Sequence, residues 1–233
     1  MMLQKTAGGY DSAGRCCVWM LVSSEMTMSE TTMHTTTAES MTAEDRARRI
    51  KVLLYDVDGV LTNGDITIVP QPDGSATEVK SFSAHDGMGI SIARLAGLKI
   101  GWVTKRNSRV VAIRANDLKI DHVYQGQHHK TDALAKILAD EGCTLDEIAY
   151  VGDDIIDLPV MRQVGFAIAV ANARPQVKAI AHYTTPMAGG HGAGRDAIDF
   201  ILTAKGVLES TIEAYLDPAN SEAKRADIGV GNM

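Results

Sequence analysis

Three cysteines in 233 residues, Cys16, Cys17 and Cys143, are too few for a disulfide framework or a four-ligand zinc set, and a cytoplasmic location suits such a chain best. Long apolar runs are missing as well. Residues 16–22 are far too short to span a bilayer, and they lack the charged start and small-residue cleavage site of a secretory signal. No membrane partner is expected. Basic clusters are absent and the net charge is −6, which argues against a nucleic-acid partner. An anionic small substrate stays open, because a metal ion and one or two lysines invert a local field. There is no internal repeat, and 45% hydrophobic residues suffice for the core of a soluble globular protein.

What is present is organised around residues 51–63, KVLLYDVDGVLTN. Val52, Leu53, Leu54 and Tyr55 show no polar alternation, so they read as a strand buried on both faces in the middle of a parallel sheet. The strand ends in acid. Asp56 and Asp58 lie two apart, which puts both carboxylates on one side of an extended backbone, and Gly59 lets the chain turn away. Two carboxylates this close repel unless a cation lies between them, and Mg2+ is the usual partner where a phosphate is also bound. A plain turn explains D-x-D-G equally well when that motif is taken alone.

Residues 1–42 are rich in methionine, serine and threonine without a sustained period and are expected to be a disordered extension, with a start at Met41 as a second possibility. The folded domain is expected over 43–216, followed by a mobile polar tail at 217–233. Pieces at 66–69 and 77–82, parted by PQPDGS, read as a β-hairpin. A helix starts at Asp86 or Gly87 and closes at Gly97. Strands at 99–104, 122–124, 148–151, 166–170 and 182–185 alternate with helices at 107–119, 130–141, 175–181, 196–205 and 207–216. Such alternation predicts a doubly wound α/β domain with a mainly parallel sheet.

In that architecture ligands sit beyond the carboxyl ends of the strands. The residues found there are Asp56 and Asp58, Thr104, Lys130, and Asp153 with Asp154. They supply a carboxylate nucleophile, a proton-shuttling carboxyl, a hydroxyl donor, a cation and a metal ligand, the parts list of phosphoryl transfer. In order, DVDGVLTN, Thr104, Lys130 and GDDIID resemble the four motifs of the haloacid dehalogenase superfamily of phosphatases over residues 50–205. The K-x-F-x-x-x-DG-x-GI stretch beginning at Lys80 and the GG-x-GA-x-R segment ending at Arg195 are similar to its capless branch that acts on 3-deoxy-D-manno-octulosonate 8-phosphate (KDO 8-phosphate).

The resemblance implies that Asp56 attacks phosphorus, that Asp58 exchanges the proton with the leaving oxygen and then with water, and that Thr104 and Lys130 hold the transferring phosphoryl group. It implies Mg2+ on Asp56, on the backbone carbonyl of Asp58 and on Asp153, with Asp154 or Asp157 in support. It also implies a homotetramer, since only a hairpin and one helix fit between Asp58 and Thr104 and no cap domain covers the site. His85, Arg109, Arg114 and Arg195 are candidates for holding a sugar acid, although Arg109 and Arg114 serve equally as helix salt bridges and Asp157 as a helix cap. His128 and His129 read as surface loop residues, lacking partners at ligand spacing. Two positions depart from the branch: His85 stands where a permanent cation is common, and Lys105 where a glycine is common. Other readings are a phosphatase for another sugar phosphate, such as an N-acylneuraminate 9-phosphate, a non-catalytic tetramerising module, and a phospho-accepting receiver domain. The acidic strand end GDDIID speaks against the last of these.

Overall fold

A computed structural model of the chain describes residues 41–226, so the expectations for residues 1–40 and for the last seven positions lie outside the described residues. The chain begins with helix α1 (Ala43–Arg48), whose first turn is capped by the Thr42 hydroxyl accepting from Asp45 N–H, and then enters strand β1 (Val52–Tyr55). All four residues of β1 are buried, as an interior strand of a parallel sheet requires. β1 pairs in parallel with β4 (Lys99–Val103) on one side and β6 (Ile148–Gly152) on the other. Beyond β4 lies β5 (His122–Tyr124), and beyond β6 lie β7 (Phe166–Ala169) and β8 (Tyr183–Thr184). The order β5-β4-β1-β6-β7-β8 reverses at β1, so the crevice between the carboxyl ends of β1 and β6 is where a ligand belongs. Gly101 sits opposite Leu54 in that register. A methyl group there would lie 2.5 Å from Leu54 Cδ2, so the glycine makes room for the central strand's side chain.

The hairpin forms a separate two-stranded sheet, β2 (Thr67–Pro70) paired antiparallel with β3 (Ala76–Val79). Its strands are exposed, and they carry Ile68 and Val69 outward at 61% and 43% exposure. Between β1 and β4 the chain builds only this hairpin and helix α2 (Ala84–Leu95), which leaves the site without a cap domain as expected. α2 begins two residues earlier than the glycine pattern suggested because Ser83 Oγ accepts from His85 N–H and caps it. Helices α3 (Arg109–Asp117), α4 (Lys130–Glu141), α5 (Leu158–Met161) and α6 (Pro175–Lys178) follow their strands.

The last helices carry two differences. Helix α7 (Ala193–Ala204) starts inside the glycine-rich segment rather than at Asp196, because Asp86 Oδ1 accepts from Arg195 N–H and Tyr55 OH donates to Gly194 O. Burial pushes the Asp86 carboxyl up to about 6. Helix α8 (Leu208–Leu216) is followed, where a mobile polar tail was expected, by helix α9 (Ser221–Ala226). Asn220 caps it by accepting from Glu222 and Ala223 N–H, and Ala223 is buried as α9 packs on α2 and α8. The polar composition hid that apolar anchor. No helix among the described residues is long and apolar enough to cross a membrane.

Candidate active site

Asp56 leaves β1 with its N–H donating to Val151 O, which fixes the start of the following loop to the neighbouring strand. Val57 O then accepts from the N–H groups of Leu61 and Thr62, closing a tight turn. Gly59 has φ +94°, and a methyl group there would lie 2.1 Å from Asp153 Oδ2. This glycine therefore serves two needs, a left-handed backbone and the close approach of a carboxylate from β6. Gly189 and Gly190 press against the other side of the turn, where a methyl group on Gly189 would lie 1.8 Å from Gly59 O and where Gly190 N–H donates to Val60 O.

Lys130, the first residue of α4, is buried beneath these acids. Its ammonium lies 2.9 Å from Asp56 Oδ1 and 2.6 Å from Asp157 Oδ1, and donates to Tyr150 OH at 3.0 Å. Burial opposes the lysine's charge, but Asp56 and Asp157 outweigh it and raise the pKa. Asp157 is saturated. Tyr150 OH donates to its Oδ1, and the N–H groups of Asp153 and Asp154 donate to its Oδ2, so it holds the lysine and the β6 turn rather than merely capping a helix. Tyr150 is the partner that sequence reasoning missed; its only signal was a polar tip inside an otherwise apolar strand.

Oxygen atoms of Asp56, Asp153 and Asp157 come within 4.8 Å of one another. Since hydrogen bonds already occupy both oxygens of Asp157, the oxygens open to a ligand belong to Asp56 and Asp153, and Asp153 Oδ1 is buried without a hydrogen-bond partner. Burial first, then the charge of Asp157, pushes Asp56 up to about 7 against the pull of Lys130. Burial, Asp157 and Asp56 do the same to Asp153. Three carboxylates facing one ammonium are short of positive charge, and a hard divalent cation fits that deficit and that oxygen donor set.

Asp56 and Asp153 have folded pKa values near 7, above their unfolded values, so they favour folding at low pH and this contribution is lost as pH rises through 7. Metal-free protein should melt at a higher temperature at pH 6.5 than at pH 8, and Mg2+ should raise the melting temperature most at pH 8. His182, lowered by burial, opposes the trend at the lower edge of that window, where the unfolded chain takes up its imidazole proton, but one imidazole is outweighed there by two carboxylates. A calorimetric pH series with and without Mg2+ measures this, and equal Mg2+ shifts at both pH values would contradict it.

A cavity of about 280 Å³ opens above the carboxylates, lined among others by Asp56, Asp58, Thr104, Lys105, Arg106 and Asp153. Thr104 is buried at the end of β4, its N–H donating to Tyr124 O and its hydroxyl accepting from Arg106 N–H at 3.3 Å. Lys119 is the sole non-glycine residue of positive φ among the described residues, so Lys105 fills the expected glycine's place without backbone strain.

The other candidates stand apart from this cavity. His85 is exposed on the first turn of α2 beside Gly192, and Arg109 is exposed on α3. Arg114 is ion-paired with Asp117 and lies against Gly87, and Arg195 is ion-paired with Asp199 at 2.7 Å while packing over Gly89. Both arginines thus make helix salt bridges. Of the cationic groups that do line the cavity, Lys105 was legible only as a departure from a motif, and Arg106 was not singled out. His128 and His129 are exposed, and the acidic group at Asp56 is the sole candidate metal cluster among the described residues.

The haloacid dehalogenase-like hydrolase family profile matches residues 100–194. A curated relative, the KDO 8-phosphate phosphatase of Yersinia pestis, is 42% identical over 164 residues, which cover 70% of this chain and 86% of that protein. A crystal structure of the Moraxella catarrhalis KDO 8-phosphate phosphatase in complex with magnesium ion, phosphate ion and KDO superposes with a TM-score of 0.69 at 36% identity, covering 74% of this chain and 97% of the other. The cobalt-bound form of the Haemophilus influenzae phosphatase gives a TM-score of 0.66 at 33% identity, covering 75% and 96%. By sequence and fold together, this chain belongs to the haloacid dehalogenase-like hydrolases, in the branch of phosphatases that these relatives represent.

Proposed function

We propose that the protein is a Mg2+-dependent phosphomonoesterase acting on KDO 8-phosphate. The observation that carries the chemistry is Asp56, a buried carboxylate held by Lys130 beside Asp153, at the floor of an open cavity. Support for the substrate comes from the relatives' activity and from the cationic cavity wall at Lys105 and Arg106, which suits a sugar acid despite the absence of a permanent cation at His85.

Asp56 attacks phosphorus as the bond to the sugar oxygen breaks, and Asp58 gives that oxygen a proton. Water then attacks the aspartyl-phosphate, Asp58 takes its proton, and Asp56 and phosphate are regenerated. Thr104 and Lys130 bind phosphoryl oxygens through groups fixed before the reaction, where preorganised donors act most strongly. Asp56, the Asp58 carbonyl and Asp153 would hold Mg2+, which when bound offsets negative charge on the phosphoryl group. The assembly is a homotetramer with a cytoplasmic location in this reading. Ile66, Ile68, Val69 and Val79, all exposed on or beside the hairpin, are the surface for it, and a monomer by light scattering would remove that part.

The test is phosphate release from a panel of sugar phosphates that includes KDO 8-phosphate and an N-acylneuraminate 9-phosphate. KDO 8-phosphate should be hydrolysed with a kcat/KM at least ~10-fold above the rest. A preference for the neuraminate ester moves the assignment to that sugar, and no turnover with Mg2+ bound ends the catalytic reading.

A further inference from the structure

The stretch that begins at Lys80 has no role in the mechanism above, yet its lysine is among the most enclosed charges of the site. The Lys80 side chain is 1% exposed. Its ammonium donates to Asp58 Oδ1 and lies 3.4 Å from Glu78 Oε1. Glu78 in turn accepts from Arg106 at 2.8 Å and from the Ser108 hydroxyl. Two residues further on, the Phe82 ring stacks on Trp102 of β4, with centroids 6.0 Å apart and planes 9° from parallel. The hairpin is therefore fastened to Asp58, to the loop after β4 and to β4 itself.

The two oxygens of Asp58 are treated differently. Oδ1 is taken by Lys80, whereas Oδ2 is buried with no hydrogen-bond partner and Arg106 Nε stops 3.8 Å away. A carboxyl that passes a proton to a leaving group needs one oxygen held and the other open. A buried ammonium also needs a fixed partner, so Lys80 and Asp58 constrain each other.

We propose that Lys80 is a positioning residue for Asp58: by holding Oδ1 it leaves Oδ2 as the oxygen that meets the leaving group, and it makes this orientation depend on the seated hairpin. This rests on the reading of Asp58 as the proton donor. Lys80 does not touch the substrate in this role. Its loss should be felt in proportion to how badly the leaving group needs a proton.

The experiment compares Lys80→Met with wild type, full chain and Mg2+ present, on two esters. One is p-nitrophenyl phosphate, whose phenolate leaves readily without a proton. The other is the best sugar phosphate of the panel, whose alkoxide does not. The sugar ester should lose at least ~10-fold more kcat/KM, which reports the step that expels the leaving group, than the nitrophenyl ester, with Lys80→Arg recovering part of the difference. Trp102 emission, read in a Trp19→Phe background, should stay in place and show the segment still packed. Equal losses on both esters make Lys80 merely structural and overturn the proposal, as does no loss on either. Wild-type protein that cleaves neither ester overturns the phosphatase reading and this inference with it.

Discussion

Asp56→Asn protein is expected to release phosphate at least ~10^3-fold more slowly than wild type on every ester that wild type hydrolyses, because an amide cannot form the aspartyl-phosphate. The same substitution should make the metal-free protein more stable at pH 8. Asp56 is one of three carboxylates within 4.8 Å sharing a single lysine, and burial with Asp157 has already pushed its pKa up to about 7. Removing that charge relieves repulsion, while the amide oxygen still accepts from Val57 N–H and Lys130. For a chain of this size each kcal/mol gained raises the melting point by roughly 2–4 °C. Activity lost with stability gained identifies a residue kept for chemistry. A variant that is both inactive and less stable would instead show Asp56 to be a structural anchor.

Lys130→Met should have the opposite sign on stability. Among the described residues the ammonium is the one cation in contact with Asp56, Asp157 and Tyr150, and all four groups are buried. Truncating one partner of a buried ion pair leaves the other charged and unsolvated, which costs about 3–5 kcal/mol. Catalysis should fall with it, since the same nitrogen is assigned to the phosphoryl oxygens. Urea unfolding measures the first effect, with the midpoint lowered and the slope unchanged. Mg2+ should recover part of the lost stability by supplying the missing positive charge, though not the activity. A loss below about 1 kcal/mol would mean that Asp56 simply takes up a proton instead, as its raised pKa permits.

Much of this was legible because it follows from period and position. A four-residue apolar run closed by acids marked the central strand, and glycines marked where the chain turns. Asp56, Asp58, Thr104, Lys130 and Asp153 were found as strand-end or helix-start residues, and the fold brings Asp56, Asp58, Thr104 and Asp153 to one cavity with Lys130 beneath its floor. What pattern could not give was partnership between distant segments. Arg114 and Arg195 look like anion binders in a list of cations, but each has an acid three or four residues further along its helix, and that pairing fixes it there. Lys80, Glu78 and Arg106 meet only because the hairpin folds back over the loop after β4, a contact no local period encodes. Helix α9 escaped notice because one alanine supplies its buried anchor.

The glycine-rich segment that presses on the nucleophile turn has a consequence for the order in which the site is made on the ribosome. Every group assigned to chemistry, from Asp56 to Asp153, emerges before Gly189 and Gly190, whose backbone seats the turn from behind. β1, the earliest strand and buried on both faces, pairs Val52 with Lys99 on one side and Ile148 on the other, so it waits for two later partners. Such non-local pairing slows folding and leaves apolar strand edges open in the meantime. The nascent chain thus holds its reactive acids unassembled until its last third arrives, and the turn that carries Asp56 is synthesised before the rest of the site and is among the last parts to be locked.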